Sequence, residues 1–94
     1  MNYRCPLPDA LRNQAAAFVE FANGGAQATV RLSDGRVFGG VLISNGTAVV
    51  AVRGFKAPPF EPGQIATLYQ TDEDKNPTER AGWEYWDAWS QHAT

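Results

Sequence analysis

Apolar positions recur with a helical period near the start of the chain and with a two-residue period through its middle. After Leu7-Pro8-Asp9, Asp9 offers an N-cap, and Pro8 a helix opener in an alternative frame. At about 100° per residue, Leu11, Ala15, Phe18 and Ala22 fall within roughly 60° of one another, with Val19 and Phe21 flanking. Arg12, Asn13, Ala16 and Glu20 take the other side, and Asn23-Gly24-Gly25 supplies a left-handed stop. The pattern predicts an amphipathic helix over 9–23.

Three strand signals follow, joined by two turn signals. Ala28-Thr29-Val30-Arg31-Leu32 alternates, Ser33-Asp34-Gly35 turns, residues 37–43 run back, Asn45-Gly46 turns again, and residues 48–52 follow. The middle strand is apolar on both faces, Val37, Val41 and Ile43 on one and Phe38 and Leu42 on the other. Both faces must then be covered, by helices, by the sheet curling on itself, or by another subunit. The first turn leaves two registers open. A two-residue Asp34-Gly35 turn sets Leu32 beside Val37; a three-residue turn with Gly35 left-handed sets Val30 and Leu32 on the face of Phe38 and Leu42. Gly39-Gly40 inside the strand indicates a sharp bend, a bulge or a close backbone approach.

Three prolines exclude regular structure from residues 54–63. A fourth strand fits residues 64–70, and Asp72-Glu73-Asp74-Lys75 reads as a solvated acidic turn. Asn76-Pro77-Thr78-Glu79 carries an N-cap, a proline at the first helical position and a capping-box glutamate, which predicts a second helix from 77 to about 91. Asp72, Asp74 and Asn76 imitate the opening of a calcium-binding loop, but Pro77 stands where that loop needs glycine and Trp83 where it needs glutamate.

Composition sharpens this picture at one place. Of 94 residues, 44% are hydrophobic, yet 14 of these are alanine, so 11 aromatic side chains must supply much of the packing. Three tryptophans fall between Trp83 and Trp89. On the second helix Trp86, Trp89 and Tyr85 share one arc, with Trp83 at its edge, opposite Arg80, Glu84, Asp87 and Gln91. Such a stripe packs on the sheet or forms a subunit contact. One small core has little room for three tryptophans, so Trp83, Tyr85, Trp86 and Trp89 are the candidate oligomer interface.

Charge and chemistry narrow the function classes. The formal net charge of −2 divides into +2 over residues 1–69 and −4 from residue 70 onward, a poor balance for unaided phosphate binding. One cysteine, Cys5, and one histidine, His92, argue against a conventional zinc site, and no metal or cofactor is expected. An intrachain disulfide is impossible, and neither a signal peptide nor a membrane span is indicated, which fits a cytoplasmic location. No ordered base is apparent for Cys5, which precedes a proline in an expected mobile lead segment, and no catalytic residue is assigned. Candidate ligand contacts are Phe55, Lys56 and Phe60 in the proline-rich loop, and Arg31, Arg36 and Arg53 if the register gathers them into an anion patch.

Around the first hairpin, Val30, Leu32, Asp34, Gly35, Phe38, Gly40 and Leu42 resemble the first motif of the Sm-like (Lsm) family, and a preceding helix is similar to that family's plan. The resemblance covers about 15 residues plus the helix. It implies a strongly bent small barrel, ring assembly through edge strands and RNA in a central pore, and it favours the three-residue turn. The family's base-holding residues are replaced here by the Ser44-Asn45-Gly46-Thr47 turn, and its second motif is reduced to Pro62-Gly63-Gln64-Ile65, so no nucleotide-pocket residue carries over.

The expectation is one α+β domain over residues 1–94: an N-terminal helix, a four-stranded antiparallel and strongly bent meander, small-barrel-like or open, and a C-terminal Trp-rich helix. Its expected role is that of a noncatalytic binding or assembly module that forms a homo-oligomer, with a small molecule or protein as partner and no membrane. An Sm-like single-stranded RNA-binding module is the alternative, and a small enzyme the third.

Overall fold

The computed structural model describes residues 5–21, 24–79 and 82–84. Strand β1 (Cys5–Pro6), helix α1 (Asp9–Ala16), strands β2 (Gly25–Leu32), β3 (Val37–Ser44) and β4 (Ala48–Val52), a 3-10 turn (Pro62–Gln64), strand β5 (Ile65–Tyr69) and helix α2 (Asp72–Lys75) follow in that order. The fold is α+β, with the strands in one curled antiparallel sheet ordered β1-β4-β3-β2-β5. No helix among the described residues is long and apolar enough to cross a membrane.

Strands β2, β3 and β4 are the alternating segments read from the sequence. The fourth expected strand, β5, is present but pairs with β2, not with β4, so only three strands form a meander. The proline-rich loop carries the chain across to that far side and buries Phe60 (4% exposed) against Phe38, with ring centroids 5.3 Å apart. Cys5 does not lie in a mobile lead: β1 pairs Cys5 with Val49 and Pro6 with Ala48, and Leu7 donates its N–H to the Thr47 carbonyl. Cys5 and Leu7 become two of the most deeply buried side chains.

The first hairpin takes the three-residue turn. Val30 pairs with Phe38 and Arg31 with Val37, Leu32 donates to the Arg36 carbonyl, and Gly35 has φ +93°. Beyond Phe38 the expected alternation fails, because Gly39-Gly40 faces the single residue Thr29 in a bulge. That extra residue inverts the phase of β3. Phe38 therefore packs with Val41 and Ile43 in the main core, whereas Leu42 faces the other side with Val50 and Ala51. Gly40 has φ +63°, and a Cβ there would lie 3.0 Å from Cβ of Arg53. Gly40→Ala is expected to cost about 1–3 kcal/mol in urea unfolding, from left-handed strain and that contact together. An unchanged midpoint would mean that the bulge relaxes freely.

From Val41 onward both faces of β3 are covered from within the chain. On the first, α1 contributes Ala15 and Leu11, followed by Phe18, over Ala28, Val30, Leu32, Val41, Ile43 and Leu68. On the second, Phe21 and Trp83 cover Leu42, Val50 and Ala51. This division explains why the expected helix 9–23 ends at Ala16. A continuous helix would hold Phe18 and Phe21 about 60° apart on one side, but they belong to opposite faces of the sheet. After Ala16 the chain is held by Gln70, which accepts from the Val19 N–H (2.8 Å) and donates to its carbonyl (2.9 Å).

The second helix is corrected more heavily. Among the described residues after 70, helical geometry covers Asp72–Lys75, and residues 77–79 and 82–84 are not helical; the remainder of the expected helix lies outside the described residues. The effective capping box lies one turn upstream: Thr71 Oγ1 accepts from the Asp74 N–H, and the Asp74 carboxylate accepts from the Thr71 N–H. Asn76 closes that helix instead of opening the next one. Glu73 accepts from the backbone N–H and the hydroxyl of Thr78, and Glu79 turns to Arg53, which fixes the segment as a strap. Tyr85, Trp86 and Trp89 lie outside the described residues.

Candidate functional site

The second face of the sheet carries the most developed polar arrangement. Gln27 and Thr29 alternate with the apolar core positions of β2 and reach Asp74, which is 3% exposed although the sequence reads as a solvated turn there. Asp74 Oδ1 accepts from Gln27 Nε2 at 2.8 Å, and its Oδ2 accepts from Thr29 Oγ1 and the Thr71 N–H, each at 2.9 Å. Three neutral donors thus hold one buried carboxylate, and no ion pair to Asp74 is formed among the described residues. The network ties α2 to the sheet.

Beside it lies a cleft of about 400 Å³, lined by Gln27, Gly39, Gly40, Arg53, Gly54, Glu73 and Glu79. The bulge creates its glycine wall. A Cβ at Gly39 would meet nothing within 4 Å, so the space above that residue is open. Arg53 lines the cleft beside Gly40 under multiple restraints. Its guanidinium sits 3.0 Å from Glu79 Oε1, donates to the Glu79 carbonyl at 3.3 Å and lies 4.1 Å from the centroid of the Trp83 ring. Trp83 in turn stacks on Phe21 (5.6 Å between centroids) and donates its indole N–H to the Gly40 carbonyl at 2.8 Å. Gly40 also accepts from the Arg53 N–H at 3.0 Å. The cleft is therefore held by backbone and by side chains with fixed partners.

Of the candidate ligand contacts, only Arg53 lines this cleft. Phe60 is a core residue, while Phe55 packs edge-on against Phe38 with 40% exposure and Lys56 is exposed. Arg31 is exposed on β2, Arg36 is paired with Asp34 at 2.8 Å within the hairpin turn, and Arg53 is held by Glu79 at 3.0 Å. The Arg36 backbone N–H, reinforced by its guanidinium, holds the Asp34 carboxyl below its usual range. Of the interface candidates, Trp83 packs largely within its own chain.

Nucleophile chemistry finds little footing at the one cysteine. Burial, and then the nearby Glu61 charge, push the Cys5 thiol up to about 11, which keeps it protonated at neutral pH. Among the described residues no group of three His, Cys, Asp or Glu side chains is placed to hold a metal ion. Gln27, Glu73, Asp74 and Glu79 are not among the ligand contacts expected from the sequence, where Glu73 and Asp74 read as a solvated turn and Glu79 as a helix cap. The Gly39-Gly40 pair was the signal that pointed to the place. Comparison with family models, curated proteins and solved structures returned no match, so the functional reading rests on this chain's own residues.

Proposed function

We propose that this chain is a noncatalytic binding module whose ligand seat is the cleft at the Gly39-Gly40 bulge. The supporting observation is the preformed opening itself: about 400 Å³ of space, within the range of small-molecule sites, walled by glycine backbone and by an arginine already fixed by Glu79 and Trp83. Gly39→Val tests it. The residue lies outside the left-handed φ range, valine suits a strand, and its side chain would enter open space, so the fold is expected to persist while the cleft is filled. In a thermal-shift screen of small polar compounds, at least one is expected to stabilise the wild type and to lose that effect in Gly39→Val. Equal stabilisation of both proteins by every active compound, or of neither by any, rejects the cleft as the seat.

The module assembles as a homo-oligomer in this reading. Support comes from β3, whose residues 37–39 lack a β4 neighbour because that pairing begins at Val41 and the Arg53 N–H reaches only back to Gly40, and from the adjacent exposed apolar side chains Val37 (55%) and Phe55 (40%). Sedimentation equilibrium is expected to return a multiple of the 10.2 kDa chain mass. A single-chain mass at all concentrations would exclude assembly.

A further inference from the structure

Resting on the cleft reading, we propose that the cleft takes a small organic monocation, an alkyl guanidinium or alkyl ammonium, with its head against Glu73. Among the described residues the charged groups lining the opening are Arg53, Glu73 and Glu79, a formal total of −1. Arg53 and Glu79 neutralise each other at 3.0 Å, and the guanidinium is further occupied by the Trp83 ring. The excess negative charge therefore resides on Glu73. Its carboxylate accepts from the Thr78 backbone N–H at 2.6 Å and from the Thr78 hydroxyl at 3.0 Å. Both donors are neutral, so they fix the orientation of the carboxylate, and no ion pair to Glu73 is formed among the described residues. Each oxygen retains a second acceptor site, the arrangement a planar guanidinium engages with two parallel hydrogen bonds.

The other polar groups of the wall agree in sign. Asp74 only accepts, so the amide nitrogen of Gln27 must face it, and the remaining polar atom of Gln27 is the acceptor Oε1. The Gly40 carbonyl is already used by the Arg53 N–H and the Trp83 indole. The described side chains of the lining thus offer acceptors, while their strongest donor, Arg53, is engaged. An anion would meet Glu73 unshielded, and a neutral ligand would leave that charge unanswered. The open space above Gly39 gives room for an alkyl stem.

The test is a calorimetric titration of the purified full chain with n-butylguanidinium and n-butylammonium, against 1-butanol and butyrate as neutral and anionic isosteres. Nα-acetyl-arginine methylamide, run alongside, separates a peptide side chain from a free amine as the source of the cation. The cations are expected to bind, and butyrate not. Glu73→Gln keeps an oxygen for the Thr78 N–H and a donor for its hydroxyl, and is expected to weaken the cations at least about tenfold, the value of a hydrogen bond to a charged group. Gly39→Val is expected to abolish binding. Butanol or butyrate binding as tightly as the cations, and lost in Gly39→Val, would overturn the ligand class while leaving the cleft as the seat. Cation binding unchanged in both variants would overturn both claims, and failure of every cation to bind at millimolar concentration would overturn the class.

Discussion

Replacing Asp74 with alanine is expected to destabilise the fold by about 3–5 kcal/mol, because it takes the acceptor from two buried donors and one partly buried donor at once. Gln27 and Thr29 are 6% and 7% exposed, and both lose their acceptor, as does the Thr71 N–H that opens α2. Each unsatisfied buried polar group costs about 1–3 kcal/mol. Asp74→Asn keeps one carbonyl oxygen and should fall between wild type and alanine. A second comparison isolates the mechanism. In an Asp74→Ala background, Gln27→Leu and Thr29→Val remove the stranded donors and should restore part of the lost stability, since an apolar replacement of both partners is far less costly than half a network. Urea unfolding of the series reads all four values. A loss below about 1 kcal/mol for Asp74→Ala would show that water replaces the carboxylate freely at this place.

Trp83→Ala should cost about 2–4 kcal/mol, somewhat less than a fully buried aromatic because the side chain is only partly covered. Three contributions are lost together: the stack on Phe21, the Arg53 contact and the indole hydrogen bond to Gly40. Trp83→Phe retains a ring for Phe21 and Arg53 but no N–H donor, so it should recover more than half of the loss. The same residue anchors the strap that carries Glu79 to Arg53, so the alanine variant should also loosen the cleft wall. Equal stability of wild type and alanine variant in urea would place the ring outside the folded unit.

The strands were legible because their signals are local. Alternation over residues 28–32, the Asp34-Gly35 and Asn45-Gly46 turns and the apolar run at 48–52 each depend on neighbours in sequence. The Gly39-Gly40 pair announced an irregularity, but a single extra residue exchanged the faces of Phe38 and Leu42, which no period-two count carries across a bulge. Two successive capping signals compete after residue 70. Thr71 through Asp74 prevails over Asn76 through Glu79 because Gln27 and Thr29, 47 and 45 residues away, need the Asp74 carboxylate. Such a requirement has no local trace. The cleft was hidden for the same reason, since Gln27, Gly40, Arg53 and Glu73 meet only after the sheet has curled. Arg53 was singled out for its charge, but its partners were not foreseeable from spacing.

Residue-resolved NMR on the ¹⁵N-labelled chain, with the tightest compound from the thermal-shift screen, tests most directly whether the bulge makes a binding site. The expected result is that ligand-induced shifts concentrate on the Gly39, Gly40 and Gly54 amides and the Trp83 indole N–H, and vanish in Gly39→Val. Shifts centred instead on Val37 and Phe55, or on the Arg31 and Arg36 hairpin, would contradict the account.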